Sequence, residues 1–266
     1  MYDIIILEEE TMIKSKEWNW ELNKEDFWKK PFIESYYYGN IWKEKGFNNI
    51  LDLGCGLGRH AILFGKMGFD VDACDLSEYA INHLNEWSKK EQLNINTKVC
   101  NMLDLKYNDN SFDCIFSYHV ISHTDTMGAK KVFSEIKRVL KPNGEIFLTL
   151  CSKDTWSFKE AGFPHIDPNT IVKTDEGPEK GIPHFYVDLD DLKELFNGFE
   201  IINIRHIDDI FYTDKFNHSK HYFIYANNIL FLNGLNSQIC SSKCFIYGSP
   251  NDKPCSCSIL IYAIIF

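Results

Sequence analysis

The sequence predicts an α/β fold in which a mostly parallel sheet carries helices on both of its faces. The first observation is that short apolar runs alternate with amphipathic stretches between residues 49 and 150. The second is that a glycine-rich turn joins the first apolar run to the first amphipathic stretch. The third is the length of 266 residues, which suffices for one large α/β domain and is marginal for two.

The elements of this pattern follow one another in a regular order. The predicted strands cover residues 50–53, 70–74, 97–100, 112–117 and 145–150. Apolar residues recur at helical spacing after Gly58, after Ser77 and after Asp125, so we expect a helix in each place. Ser77 is a residue type that caps helix N-termini, and the run Pro142-Asn143-Gly144 is expected to end the third helix.

The elements after residue 150 differ from the βα repeats before them. Residues 151–188 contain Pro and Gly and are expected to form an insertion over the site. A predicted helix over 189–196 precedes strands over 200–206 and 222–226, with no obvious helix between those two strands. Sequential strands joined by a loop indicate an antiparallel pair, which we expect at the edge of the sheet.

Charge and composition limit the classes of partner. The net charge of −10 disfavours nonspecific binding to nucleic acid, and no run of basic residues stands out. No uncharged apolar stretch reaches the ~18–20 residues that span a bilayer. Residues 1–7 lack the basic flank of a signal sequence, so the nine Cys are expected to be reduced in the cytoplasm. We therefore expect a cytoplasmic monomer or homodimer that acts on a small molecule, not on nucleic acid or a membrane.

The glycine turn is the segment most informative about a ligand. Gly54, Gly56 and Gly58 follow a strand and precede a helix, where the backbone turns sharply and approaches a ligand closely. Their G-x-G-x-G spacing differs from the G-x-G-x-x-G fingerprint of dinucleotide sites, which argues against NAD. Asp75 ends the second strand about 20 residues after the first glycine, where an acidic side chain can bind ribose hydroxyls. Asp52 precedes the turn and is also expected near the ligand.

These segments resemble the class I S-adenosylmethionine-dependent methyltransferases, especially the small-molecule type called methyltransferase type 11. The resemblance covers about residues 48–227 and depends on four segments in the family's order, residues 50–60, 71–77, 101–116 and 138–148. It implies a Rossmann-like three-layer sandwich whose seven-stranded sheet is mostly parallel with an antiparallel last strand. It also implies S-adenosyl-L-methionine as the cofactor.

The resemblance assigns positions in a cofactor site. It places the start of the glycine turn under the methionine part of the cofactor, Asp75 on the ribose and Leu76 against the adenine. The expected cofactor-binding residues are Asp52, Gly54, Cys55, Gly56, Gly58, Arg59, Asp75, Leu76, Asn101, Met102 and Ser117. Asn101 departs from the family, which usually carries Asp there, but an Asn carbonyl can still accept a hydrogen bond from the adenine amino group. Arg59 is expected either to pair with a carboxylate near the cofactor or to lie at the surface.

Candidate residues for the methyl acceptor follow the fourth strand or lie in the insertion. His119 and His123 follow the strand, and the insertion supplies His184 and Tyr186. We expect His123, His184 and Tyr118 to serve catalysis, although His123 could instead make only structural hydrogen bonds at a helix start. The methyl of a sulfonium is already activated, so neither a metal nor a compulsory catalytic dyad is expected.

The two ends of the chain have distinct compositions. The aromatic-rich residues 1–48 are expected to form a lid or cap, or to pack against the sheet, beside a methyltransferase domain over 49–228. Residues 229–266 form an atypical tail, which could be an added strand, a dimer contact or a segment without function. Its Cys240, Cys244, Cys255 and Cys257 could bind zinc but match no common zinc-finger spacing.

The function expected from these observations is methyl transfer to an O, N, S or C nucleophile of a small molecule. A nonenzymatic S-adenosylmethionine-binding protein is the first alternative, and a protein or RNA methyltransferase is another. Methylation of base amino groups is disfavoured, because residues 117–120 read Ser-Tyr-His-Val instead of Asn/Asp-Pro-Pro-aromatic.

Overall fold

The computed structural model of the chain describes residues 16–22, 26–209 and 218–229, which hold ten strands and six α-helices. The strands are β1 (Asn49–Leu53), β2 (Asp70–Asp75), β3 (Ile95–Val99), β4 (Phe112–Ser117), β5 (Leu140–Ser152), β6 (His165–Asp167), β7 (Thr170–Val172), β8 (Pro183–Val187), β9 (Phe199–Asp209) and β10 (Ser219–Asn228). The helices are α1 (Ile33–Glu44), α2 (Arg59–Lys66), α3 (Glu78–Lys90), α4 (Thr126–Val139), α5 (Trp156–Lys159) and α6 (Leu189–Leu195). Two short 3-10 turns, Trp20–Leu22 and Asp26–Lys29, precede α1.

The longer strands form one sheet in the order β3-β2-β1-β4-β5-β10-β9. Strands β1 to β5 pair in parallel, and β10 is antiparallel to both of its neighbours. The prediction of a mostly parallel sheet with an antiparallel last strand is therefore confirmed. The number of strands differs from the predicted seven, because β8 pairs with the end of β5 and the short strands β6 to β8 extend the sheet to ten strands. The edge strand is β9, whereas β10 lies inside the sheet.

The order of the strands reverses between β1 and β4. Strands β2 and β3 continue the sheet on one side of this point, and β5 continues it on the other. Connections after β1 and β4 then leave toward opposite faces, which opens a crevice at the carboxyl ends of the two strands. The glycine turn after β1 and the segment after β4 both lie at this crevice.

The core consists of one apolar layer on each face of the sheet. Alternate residues of β1 supply opposite layers: Leu51 packs with Ile115 and Ile136, while Ile50 packs with Phe64 and Phe147. All six side chains are fully buried. Both layers are continuous with the helices that flank the sheet, as the three-layer prediction requires.

Part of the aromatic N-terminal segment belongs to this core. Helix α1, which the sequence patterns did not predict, buries Tyr38 and Trp42. The indole nitrogen of Trp42 donates to Glu145 Oε2 over 3.1 Å, and Lys45 Nζ lies 2.6 Å from the other carboxylate oxygen. The hydrogen bonds to Glu145 fix α1 to the strand that follows α4.

Several predicted boundaries differ from the structure. Strand β3 starts at Ile95 instead of residue 97. Strand β5 starts at Leu140 instead of residue 145, so Pro142-Asn143-Gly144 lies within the strand and not before it. Asn143 has a φ of 61°, and the β4–β5 register shifts nearby, between Phe112 and Cys114. The insertion holds α5 and the short strands β6, β7 and β8, none of which the sequence patterns predicted.

Some expectations fall on other parts of the chain. Residues 1–15, 23–25, 210–217 and 230–266 lie outside the described residues, and they include the apolar start and the four C-terminal Cys. Within the described ranges, no helix has both the length and the apolar composition that crossing a membrane requires.

The N-terminus of α6 offers a test of local stability. Asp188 Oδ1 accepts hydrogen bonds from the N–H groups of Asp190 and Asp191, and Lys153 Nζ lies 2.9 Å from its Oδ2. Replacing Asp188 with Ala is expected to lower the free energy of unfolding by about 1 kcal/mol, because it removes the helix cap. Urea denaturation measures this loss.

The charge of Asp188 adds a pH dependence. Lys153 first, and then the backbone N–H groups, lower the pKa of Asp188 to about 2, below the ~3.9 of an unfolded chain. The stabilisation by the charge is therefore complete above about pH 4 and is lost as the pH falls through 2. Asp188→Asn keeps a capping oxygen, so wild type should exceed this variant in stability at pH 7 by a margin that shrinks toward pH 2. A margin independent of pH would contradict this assignment.

Candidate cofactor and acceptor site

A cavity of about 500 Å³ opens at the crevice between β1 and β4. It is lined by the glycine turn, the end of β2, the segment after β4, the insertion and the aromatic N-terminal segment. Of the predicted cofactor residues, these line it: Gly54, Cys55, Gly56, Arg59, Asp75, Leu76, Asn101 and Met102. The structure thus brings together groups from distant parts of the sequence around one space.

The glycine turn needs glycine at the places where its backbone meets the cavity. The N–H groups of Gly54 and Cys55 both donate to the carbonyl of Cys74, over 2.8 and 3.0 Å, which ties the turn to the end of β2. Gly54 has a φ of 71°, and a Cβ there would lie 2.3 Å from a methyl of Val120. A Cβ on Gly56 would lie 2.5 Å from the ring of Trp20. A side chain at either position would therefore collide with a residue packed against the turn.

Asp75 is held rigidly at the same place. Its Oδ2 accepts from the N–H of Gly56 and its Oδ1 from the N–H of Ser77, both over 2.9 Å. Burial raises the pKa of this carboxyl, and the two backbone donors oppose that rise. Each oxygen keeps a second lone pair, so the carboxylate can still accept hydrogen bonds from ribose hydroxyls. The donor and acceptor chemistry of this end therefore fits a ribose.

Asp52 is buried next to the turn without lining the cavity. It is 1% exposed, and its Oδ2 has no hydrogen-bond partner among the described residues. Burial raises its pKa to about 7, which the N–H of Ala61 and the charge of Arg59 partly oppose. An unsatisfied carboxyl oxygen directly behind the turn favours a ligand with donors and positive charge at this end of the cavity, as the ammonium of S-adenosylmethionine would have. The residues present at this end fit the predicted cofactor.

Arg59 is buried rather than at the surface. Its guanidinium carbon lies 5.1 Å from the ring centre of Trp28 and 4.9 Å from that of Phe32. Burial lowers the pKa of Arg59 to about 10, so it stays charged at neutral pH. The aromatic faces stabilise that charge where little water reaches it.

The remaining predicted cofactor residues divide into two groups. Asn101 and Met102 line the cavity, and Asn101 Oδ1 already accepts from the N–H of Leu103 over 2.9 Å. Gly58 and Ser117 are not among the described residues that line it. Ser117 Oγ donates to the carbonyl of Leu53 and so links β4 to β1, while a Cβ on Gly58 would lie 2.4 Å from Leu84 of α3. In the structure, Ser117 therefore connects two strands and Gly58 allows close packing of α3.

Three tryptophans cover the glycine turn from the N-terminal segment. Trp18, Trp20 and Trp28 make edge-to-face contacts, with ring centres 4.5 to 5.7 Å apart, and all three line the cavity. Their apolar rings reduce the access of water to the turn.

Another part of the cavity wall, called the acceptor wall, carries the predicted histidines. Tyr118, His119, His123, His184 and Tyr186 all line the cavity, so the structure brings together the residues expected at the acceptor. The ring centres of His123 and His184 lie 5.0 Å apart. Burial, and then the neighbouring His184, lower the pKa of His123 to about 3, so this imidazole is neutral at pH 7.

Two charged residues of this wall were not predicted. Glu179 Oε1 lies 3.3 Å from Nε2 of His184 and 3.8 Å from Nε2 of His123, and Lys173 contacts the other carboxylate oxygen. Burial opposes ionisation of Glu179, but His184, Lys173 and His123 together hold its pKa well below its usual range. Glu179 follows Gly177-Pro178 in a stretch typical of a surface turn, and no local pattern distinguished it.

Comparison with known proteins identifies the central segment. Residues 50–144 match the family described as a methyltransferase domain. Sterol 24-C-methyltransferase ERG6B of Gibberella zeae is 32% identical over 114 residues, which are 42% of this chain and 29% of that protein. The probable S-adenosyl-L-methionine-dependent methyltransferase TehB of Haemophilus influenzae is 35% identical over 79 residues, 29% of this chain and 28% of that protein. The matches thus span less than a third of these relatives.

A solved structure agrees with this identification at the level of the fold. An S-adenosylmethionine-dependent methyltransferase from Methanosarcina mazei superposes with a TM-score of 0.58 and 24% identity, over 69% of this chain and 93% of that one. The shared fold, the glycine turn with its acidic partner and the matched family agree with one another. Residues 50–144 therefore match a methyltransferase domain, and the chain shares the fold of a solved S-adenosylmethionine-dependent methyltransferase.

Proposed function

We propose that this chain transfers the methyl group of S-adenosyl-L-methionine to an O, N, S or C nucleophile of a small molecule. The observation that carries the proposal is one cavity that joins the glycine turn and Asp75 to a polar wall of histidines. An enzyme needs both ends, because alignment of acceptor and cofactor is the main contribution a protein makes to this displacement.

The cofactor end is assigned residue by residue. Asp75 would accept hydrogen bonds from the ribose, and the bare backbone of Gly54 and Gly56 would lie against the methionine part. Leu76, Asn101 and Met102 would contact the adenine. When bound, the cofactor supplies a methyl group already activated by its sulfonium. The tryptophans above the turn would exclude water from that group.

The acceptor is proposed to be small. A cavity of about 500 Å³ lies within the usual range for small-molecule sites. The matched sterol methyltransferase supports a small-molecule acceptor, and its limited coverage leaves the acceptor of this chain open. The net charge of −10 is consistent with a partner other than nucleic acid.

His184 is the group best placed to take a proton from an acceptor that carries one. Its Nδ1 donates to the carbonyl of Ile182 over 2.9 Å, so in the neutral ring Nε2 is the nitrogen that can accept a proton. Glu179 Oε1 lies 3.3 Å from Nε2 and would stabilise the resulting imidazolium. Tyr118 and His123 would position the acceptor beside it.

The proposal extends to the organisation of the chain. Residues 1–48 would serve as a lid over the cavity, residues 49–228 as the methyltransferase domain and residues 151–188 as the insertion that completes the acceptor wall. The protein would act in the cytoplasm as a monomer or homodimer.

Calorimetric titration of the full-length protein with S-adenosyl-L-methionine tests the cofactor assignment. We expect micromolar affinity for this cofactor and no measurable binding of NAD, because the turn lacks the dinucleotide spacing. A folded sample, freed of copurified ligand, that does not bind S-adenosyl-L-methionine would contradict the proposal. A sample that binds it can then be tested for methyl transfer against a panel of small acceptors.

A further inference from the structure

Three potential metal ligands meet on the acceptor wall. One ligand atom each from His123, Glu179 and His184 lies within 4.8 Å of the other two. Two imidazoles and a carboxylate are ligands that divalent transition metals such as zinc prefer. Methyl transfer from a sulfonium does not itself require such a set.

The geometry of His184 points to a ligand at its second nitrogen. The residue is 2% exposed, and its Nδ1 donates to the carbonyl of Ile182. Its Nε2 has no hydrogen-bond partner of acceptable geometry among the described residues, although Glu179 Oε1 lies 3.3 Å away. When the ring is neutral, Nε2 and Oε1 are both acceptors and face each other. A cation between them would satisfy both.

Neighbouring residues orient the proposed ligands as a metal site requires. Lys173 contacts Glu179 Oε2, so Oε1 faces the two imidazoles. The Ile182 carbonyl fixes the ring of His184, the usual arrangement for a histidine that binds metal through its other nitrogen. A tetrahedral ion with bonds of about 2.0–2.2 Å separates its ligand atoms by about 3.3 Å. The separations from Glu179 Oε1, 3.3 Å to His184 and 3.8 Å to His123, are close to that value.

We propose that His123, Glu179 and His184 bind one divalent transition-metal ion, with zinc as the best match. Three protein ligands leave a fourth position, which faces the cavity that the residues line. An open position of this kind is typical of a metal that acts on a substrate rather than one that only stabilises the fold.

The charge around the ion favours a particular class of acceptor, an inference that rests on the proposed function. Lys173 neutralises Glu179, so a bound divalent ion would leave the wall with two positive charges. An anionic acceptor, a thiolate or an oxyanion, would best complete the coordination. Because Nε2 of His184 would bind the ion, coordination, and not that imidazole, would promote loss of the acceptor's proton, which would pass to water. It would then form its bond to the methyl carbon as the carbon–sulfur bond breaks, with that electron pair remaining on sulfur.

Cobalt(II) provides a spectroscopic probe that does not depend on activity. We expect full-length protein stripped with a chelator to bind one equivalent of Co²⁺ with visible d–d absorption, and Zn²⁺ to displace it. Glu179→Gln and His184→Ala should each weaken Co²⁺ binding by at least about 10-fold. Glu179→Gln keeps the shape of a side chain that is only 32% exposed, so it tests the site even where loss of the buried His184 disturbs folding. His165→Ala, which removes an exposed histidine from β6, is the matched control and should bind as wild type does.

The outcomes separate this inference from the proposed function. Absence of Co²⁺ binding would overturn the proposed metal site. Co²⁺ binding that neither Glu179→Gln nor His184→Ala weakens would overturn it as well. Intense thiolate-to-cobalt absorption would place the metal on cysteines and would also overturn it. Calorimetry with S-adenosyl-L-methionine on the same samples reports the cofactor end independently, so either site can fail while the other stands.

Discussion

Replacement of Asp75 with Ala is expected to weaken S-adenosyl-L-methionine binding by about 2–4 kcal/mol, or ~30- to 1000-fold. The variant loses the carboxylate that is proposed to bind the ribose. It also releases the N–H of Gly56, which Asp75 Oδ2 holds over 2.9 Å, so the glycine turn loses part of its preorganisation. Calorimetric titration of the folded variant measures the change in dissociation constant.

A neighbouring aspartate on the same strand is the control for this experiment. Asp72 also lies on β2 but is not among the described residues that line the cavity, so Asp72→Ala should leave the affinity unchanged. Asp75→Asn keeps one carbonyl acceptor and should fall between wild type and Asp75→Ala. Equal affinities for all three variants would reject the assignment of Asp75 to the ribose.

A single methyl group added at Gly54 is expected to destabilise the fold by about 2–5 kcal/mol. The residue has a φ of 71°, which costs an L-amino acid about 1–2 kcal/mol. Its new Cβ would also lie 2.3 Å from Val120, so either the turn or that side chain must move. Movement of the turn would further reduce cofactor affinity. Chemical denaturation of Gly54→Ala measures the loss of stability.

Gly68→Ala separates the two contributions to this loss. Gly68 has a φ of 79°, close to that of Gly54, but a Cβ there meets no atom within 4 Å. We therefore expect Gly68→Ala to show only the backbone cost and to bind the cofactor as wild type does. If the free energy of unfolding fell equally in Gly54→Ala and Gly68→Ala, the close approach between Gly54 and Val120 would contribute nothing to the loss.

The sequence predicted the parts of the fold that depend on residues close together in the sequence. The periodicity of the βα units and the glycine turn are local features, and their order led to the correct sheet. The position of Pro142-Asn143-Gly144 was predicted wrongly because these residues favour a helix end, whereas β4 pairs with Leu140 before them and with Glu145 after them, so that they form an irregularity within β5. Helix α1 was missed because its surface does not show a clear apolar stripe. Tyr36 and Tyr37 are exposed on it, while Tyr38 is buried.

The site was predicted less completely than the fold. His123 and His184 could be chosen because the family pattern marks them. Glu179 and Lys173 meet them only through the path of the insertion, whose short strands β7 and β8 pair with each other and carry His184. Such long-range contacts depend on tertiary packing, and no spacing in the sequence encodes them.

The position of β10 has a consequence for synthesis of the chain. This strand pairs with both β5 and β9, and β9 pairs with no other described strand. A nascent chain that has emerged only as far as β9 therefore exposes the unpaired edge of β5, a surface that favours association with other chains. Residues 219–228 must leave the ribosome before the sheet can close, so we expect the sheet to form only after that segment has emerged and to be sensitive to any truncation that removes it.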